Sequence, residues 1–173
     1  MIDAEGNWEQ GSPRYNPRVA LTRDQMRDVI IEHVEAENDR SADRVLATYS
    51  REHPVFEDVA AGVRYEGGDA IVSENYRHLW DGFPGLKREI TRWTFGEDSV
   101  VIELRLTGKH EGNFRDTPAS GRELDFRIIA HFQFDPEGRI SQETAYYDRL
   151  TFMRQVGPGA LNWTRLSGKR RLR

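Results

Sequence analysis

The sequence predicts an α+β fold built on one curved antiparallel sheet, and two observations carry that reading. Four segments, residues 86–95, 99–109, 123–134 and 139–147, alternate apolar and polar side chains at period two and are joined by turn-forming residues. Ahead of them, residues 21–80 carry helical periodicity with recognisable starts and stops.

The strongest element is the hairpin at 123–147. Phe126, Ile128, Ala130, Phe132 and Phe134 fall on one face of its first strand; Asp125, Arg127, His131 and Gln133 fall on the other, with Ile129 among them. Asp135-Pro136-Glu137-Gly138 supplies the turn. Counting outward from a type I turn with Gly138 as a bulge, Phe134 faces Ile140, Phe132 faces Gln142, Ile128 faces Tyr146 and Phe126 faces Asp148. That register makes Asp148 the last residue of a core-facing row. A carboxylate there is costly unless hydrogen-bonded or solvated in a cavity. The neighbouring strand 99–109 places Val100, Ile102, Leu104 and Leu106 on one face, and His110 ends that row. Paired antiparallel with 123–134, it brings His110 near Arg122 and Leu124. His110 and Asp148 then share one end and one face of the sheet, as a paired site or as an ion pair closing it.

The helices read as follows. Thr22-x-x-Gln25 is a capping box with Leu21 as staple, and the helix it opens runs to about Asn38 with Met26, Val29, Ile30, His33, Val34 and Glu37 on one stripe. His33 and Glu37 face either a cavity or a satisfied core. A second short helix begins at Ser41 or Ala42 and is broken by His53-Pro54; 55–59 is a short strand. Gly67-Gly68-Asp69 caps a third helix, 70–80, whose inward stripe is Ile71, Val72, Asn75, Tyr76, Leu79 and Trp80. Asn75 is its polar member and a pocket-donor candidate. Asp148 also reads as the cap of a last helix, 149–156, stopped by Gly157.

Composition narrows the function. The 173 residues suit one domain, 21–157, with an extended arm at 1–20 and a basic tail at 158–173. Trp8 and Tyr15 in the arm are either solvated or packed on a partner subunit. A net charge of -4 argues against nucleic acid. The absence of cysteine excludes disulfides and thiolate chemistry. No apolar run is long enough for a membrane helix, and no signal pattern opens the chain, so a cytoplasmic location is the default expectation. His33, His53, His78, His110 and His131 show no metal-ligand spacing, and no glycine-rich phosphate loop is present, so no metal and no cofactor are expected.

Taken together, these blocks resemble the SnoaL-like polyketide cyclases of the nuclear-transport-factor-2-like superfamily. The matching segments are the first helix ending near Asn38-Asp39, the Phe56-to-Gly67 segment, and Phe83-Pro84-Gly85-Leu86. They continue through Thr107-Gly108-Lys109-His110-Glu111-Gly112, Pro118-Ala119-Ser120-Gly121-Arg122, Gly138-Arg139-Ile140 to Tyr147-Asp148, and Arg154-Gln155-Val156-Gly157. The resemblance implies a cone of curved antiparallel sheet closed by N-terminal helices around a deep pocket. It also implies that the acidic residue matching Asp148 is the acid/base of a cofactor-free intramolecular aldol closure. Two departures are the longer arms and Gly85 where an acidic residue is common. Because the superfamily includes isomerases, dehydratases, epoxide hydrolases and binding modules, fold alone does not fix the reaction.

The sequence therefore supports an acid/base enzyme acting on a carbonyl-rich, aromatic or polyketide-like small molecule. Asp148 would remove the proton, and His110 or Tyr146 would assist. His33, Asn75, Tyr76, Trp80, Phe126 and Phe132 would line the substrate pocket. Two alternatives remain open: a non-catalytic binding or dimerisation module, and a hydrolase or dehydratase using Glu57 or Asp58 to activate water. A homodimer is expected through an outer sheet face made of Arg105, Arg127, Ile129, His131, Glu143, Ala145 and Tyr147.

Overall fold

The computed structural model describes residues 21–157, except Asp116. The expectations for the arm and the basic tail fall outside these residues.

Helix α1, Arg23–Asn38, starts at Thr22 through the capping box read from the sequence: the Gln25 amide donates to Thr22 Oγ1 at 3.2 Å, and the Thr22 amide donates to Gln25 Oε1 at 2.9 Å. Helix α2, Ala42–Thr48, follows and ends before His53-Pro54. Strands β1, Val55–Asp58, and β2, Val63–Glu66, form a short hairpin. The next helix is composite. Its α3 turn, Gly68–Ile71, passes through a π-helical turn, Val72–Tyr76, into α4, Arg77–Gly82. Its N-cap is Gly67, with no side-chain cap bond, rather than Asp69. Strands β3 (Lys87–Phe95), β4 (Ser99–Lys109), β5 (Glu123–Phe134) and β6 (Ile140–Tyr147) match the four expected segments closely, and α5, Arg149–Val156, closes the chain.

The sheet has six strands in the order β2-β1-β6-β5-β4-β3; β1 runs parallel to β6 and every other pair is antiparallel. The α+β class and the curved, open sheet therefore stand, enlarged by β1 and β2. Register shifts between Ile90 and Arg92 in β3, and between Gln133 and Phe134 against β6, mark bulges. Bulges increase local twist and bend the sheet around its apolar face. The buried core lies between that face and the helices, from Met26 and Ile30 on α1 to Ile102, Leu104 and Phe132 on the strands.

The second bulge changes the site. Phe134 pairs with Ile140 as expected, but Gln133 pairs with Gln142, Phe132 with Glu143 and Ile128 with Tyr147. Ser141 is the additional residue. Every side chain beyond it exchanges faces relative to the bulge-free register. Glu143 and Ala145 are buried, and Tyr147 turns inward, so all three leave the outer face. Tyr146 instead stands outward, 46% exposed, opposite Ile129. Phe126 does not face Asp148.

Candidate active site

A cavity of about 80 Å³ lies between the sheet and the helices. Its lining includes buried Glu37, Phe56, Arg88, Leu106, Glu143 and Ala145 and half-buried Asp58, Leu79, Arg115, Phe126, Ile128 and Tyr147. Phe114 and Phe152 complete apolar walls. The volume is enough for two or three waters or the reacting end of a small molecule.

Asp58 ends β1 and is set against β6, its Cα opposite Ala145. Its Oδ1 accepts from the Ala61 amide at 2.9 Å and its Oδ2 from the Tyr147 hydroxyl at 3.0 Å. Burial pushes the Asp58 carboxyl above its ordinary value, outweighing those donors and the nearby Arg115 and Arg149 cations. Burial and the Asp58 charge push the Tyr147 phenol up, so it keeps its proton and donates.

Beneath the cavity lies a polar cluster that reaches it through Glu143. Tyr49 and Tyr76 both donate to Glu143 Oε2, the second at 3.1 Å, and His33 Nε2 stands 3.4 Å from the same oxygen. Burial would raise Glu143, but hydrogen bonds from His33 and the two phenols, with the His33 charge, hold it below its ordinary value. Burial would lower His33, but the Glu143 bond and the Glu37 charge hold it above. Beside this group, Arg88 Nε lies 3.3 Å from Glu37 Oε2. Burial raises Glu37 despite Arg88. Trp80 Nε1 donates to the Glu37 carbonyl at 3.1 Å, and its ring stacks on Tyr76 at 5.5 Å.

His33, Glu37 and Glu143 each bring one metal-ligand type of atom within 4.8 Å of one another, a grouping that histidine spacing alone does not reveal. Its donor set argues for proton sharing rather than cation binding. The Glu143 oxygen already takes two phenols and an imidazole, and a guanidinium stands against Glu37.

The expected trio of Asp148, His110 and Tyr146 is not assembled. Asp148 is exposed, and its carboxylate caps α5: Oδ1 accepts from the Leu150 and Thr151 amides at 2.9 and 3.3 Å, and Oδ2 from the Thr151 hydroxyl at 2.6 Å. The Thr151 hydroxyl and amide hold its carboxyl below the ordinary value, opposite to the rise that burial would give. The cap fixes the helix that supplies Phe152 to the cavity wall, so Asp148 serves the pocket at one remove. His110 does lie beside Arg122, whose carbonyl accepts from its amide at 2.9 Å. Its ring is buried behind the aromatic wall, stacked on Phe83 at 5.0 Å, with Nδ1 3.0 Å from Ser120 Oγ. Burial lowers its pKa, partly offset by the Val156 carbonyl. Tyr146 faces away from the cavity.

Of the pocket candidates, Asn75 and Phe126 line the cavity. His33, Tyr76, Trp80 and Phe132 are buried in the layer beneath it, with Phe132 edge-on to His33 at 5.7 Å. Asp58, raised in the sequence only for water activation, is a wall residue. Arg88 is not among the sequence candidates, although it shares a period-two row with Leu86 and Ile90, an unusual place for an arginine. Glu143 and Tyr147, expected on the outer face, stand on the inner one. Their signal was the phase conflict between Ile140 and the Ala145/Tyr147 pair, which only an extra residue reconciles.

The sequence profile of the family described as SnoaL-like polyketide cyclase matches residues 27–156. The chain belongs to that family. Solved structures agree on the fold. A provisionally named SnoaL-like polyketide cyclase from Jannaschia sp. CCS1 superposes with a TM-score of 0.68 at 23% identity, covering 78% of this chain and 94% of that one. A provisionally named polyketide cyclase from Xanthomonas campestris pv. campestris gives 0.69 at 20%, covering 78% and 98%. SalBIII, described as an epoxide hydrolase/cyclase-like enzyme with a role in pyran ring formation in the polyether salinomycin, gives 0.62 at 17%, covering 74% and 94%. No curated protein matches the chain by sequence. Among the described residues, no helix is long and apolar enough to cross a membrane. Family membership supports a cyclase-type function.

Proposed function

We propose that this SnoaL-like protein is an acid/base enzyme that closes a ring in a small, mainly apolar, carbonyl-rich molecule, with Asp58 as the base. The observation that carries the reading is the Asp58 carboxylate, held by Ala61 and Tyr147 on the wall of an apolar cavity and raised by burial toward values useful for proton transfer. Asp58 takes a proton from the carbon beside a carbonyl. The resulting enolate carbon bonds to a second carbonyl carbon of the same molecule, and the alkoxide so formed recovers the proton from the Asp58 acid. The step is redox-neutral and its atoms balance without a co-reactant.

The test needs no knowledge of the natural substrate. In D2O the protein should accelerate exchange of the α-hydrogens of 2-tetralone, followed by proton NMR. Asp58→Asn should slow that exchange by roughly 100-fold or more, the scale of a lost general base, with the thermal midpoint retained. Equal rates in wild type and variant would remove Asp58 as base. No acceleration by wild type would favour a binding module.

A hydrolytic reading is supported by the same carboxylate, which can activate a water as well as take a carbon-bound proton. Asp58 substitution therefore does not separate the two reactions. Incorporation of 18O from labelled water into product would mark hydrolysis, and its absence ring closure.

A further inference from the structure

The floor of the cavity holds two buried donors with no acceptor among the described residues, Asn75 Nδ2 and Arg88 Nη1. Asn75 and Arg88 are each 7% exposed. A buried N–H without a partner is costly, and more so on a guanidinium, which cannot shed its charge. Neither position is accidental. Asn75 sits in the π-helical turn, where the Arg77 amide reaches back to the Val72 carbonyl; such turns are rare and concentrate at functional sites. Arg88 is fixed through its backbone: its amide donates to Asn38 Oδ1 at 2.8 Å, and its carbonyl accepts from Asn38 Nδ2 at 3.0 Å. Its Nε is committed to Glu37, while Nη1 has no acceptor, and the residue lines the cavity.

We propose that Asn75 and Arg88 together form an acceptor-oxygen site that binds the carbonyl of a neutral ketone or ester substrate and holds the oxygen as it becomes an enolate. This rests on the Asp58 reading and adds to it the group that stabilises the product of proton removal. One carbonyl oxygen has two lone pairs and can accept from both donors. Donors fixed in a dry site stabilise developing charge without reorganisation. The neutral class follows from the charges already present. Arg88 is opposed by Glu37, and Glu143 lies on the same floor, so a ligand carboxylate would bring a further negative charge among acids. A carbonyl brings charge only as the proton leaves. Asp58, Asn75 and Arg88 line the same cavity, so the base and the oxygen donors face one bound carbonyl group.

The test uses 2-tetralone labelled with 13C at the carbonyl, the hydrocarbon tetralin as matched control, and 1,2,3,4-tetrahydro-2-naphthoate as the anionic arm. The site predicts that the ketone binds at least roughly tenfold tighter than tetralin and tighter than the carboxylate. It predicts a bound C=O stretch below the frequency of the same ketone in water. Asn75→Leu, and the isosteric Asn75→Asp as a second variant should the first not fold, should raise that frequency and weaken ketone binding five- to tenfold or so, with tetralin unaffected. A stretch at or above the aqueous value in wild type, a stretch unmoved by both variants, or tighter binding of the carboxylate would overturn the proposal. Asp58→Asn separates the two claims. If it abolishes exchange while wild type shows no shifted stretch, the base stands and the oxygen site falls. If the stretch is shifted but Asp58→Asn exchanges normally, the oxygen site stands and the base falls.

Discussion

His33 Nε2 stands 3.4 Å from Glu143 Oε2; both side chains are buried, Glu143 lining the cavity and His33 behind it. The other ring nitrogen fixes the proton inventory. The Thr48 hydroxyl donates to the Val45 carbonyl at 2.7 Å, so toward His33 Nδ1, also 2.7 Å away, it acts as acceptor. Nδ1 therefore carries a hydrogen, and a second proton on Nε2 makes an imidazolium aimed at Glu143.

That pairing predicts a defined pH window. His33 is held above its ordinary value of 6.5, so its contribution to stability is complete below 6.5 and is lost as pH rises through the folded value. Glu143 is held below its ordinary 4.5, so its contribution is present above 4.5 and is lost as pH falls through the folded value. The difference in unfolding free energy between wild type and Glu143→Gln should be largest between those two pH values. His33→Leu, which strands the Glu143 charge, should cost about 3–5 kcal/mol near pH 6. Denaturant titrations across pH check both; a difference independent of pH would show that the pair is neutral.

The catalytic pH profile follows from Asp58. Its carboxyl lies above the ordinary 3.8, and the base works deprotonated. The ascending limb of kcat/KM for 2-tetralone exchange should therefore fall above pH 3.8. Tyr147→Phe removes a hydrogen bond that favours the charged carboxylate, so that limb should move to higher pH. An unchanged or lower limb in Tyr147→Phe would place the titration on another group.

Asp148 should behave as a helix cap. Asp148→Ala should lower the thermal midpoint modestly, and Asp148→Asn less, because asparagine also caps. Its carboxyl is depressed, so the wild-type advantage should be present above pH 3.8 and disappear as pH falls below it. Exchange of 2-tetralone should survive in Asp148→Asn. A loss of about 100-fold there, in a protein with normal stability, would restore Asp148 as the acid/base.

These contrasts show what the sequence could carry. The capping box at Thr22, the extents of β4 and β5, the inward stripe of the third helix and the Asp148 cap are local patterns, and each formed as read. The bulge at Ser141 is not local. It is set by how β6 must meet both β5 and the parallel β1, and it decides whether Glu143 or Gln142 enters the cavity. The short β2 likewise gains its identity from pairing with β1, too brief to show a period. The site was thus legible in its residue types but not in its membership: one extra residue exchanged Tyr146 and Asp148 for Tyr147 and Glu143.

The last prediction separates structure from binding at Arg88. Arg88 and Glu37 are a buried pair, and Glu37 is already raised by burial. Arg88→Met should leave Glu37 uncompensated, favour its protonation and cost about 3–5 kcal/mol, the range for breaking one side of such a pair. Arg88→Met combined with Glu37→Met replaces both charges by apolar groups of similar length and should recover most of that loss. Ketone binding should behave differently. Both the single and the double variant lack Nη1, so both should lose the lowered C=O stretch of bound 2-tetralone, whatever their stability. If the double variant regains the stretch along with stability, Arg88 acts only by supporting the fold, and the acceptor site rests on Asn75 alone.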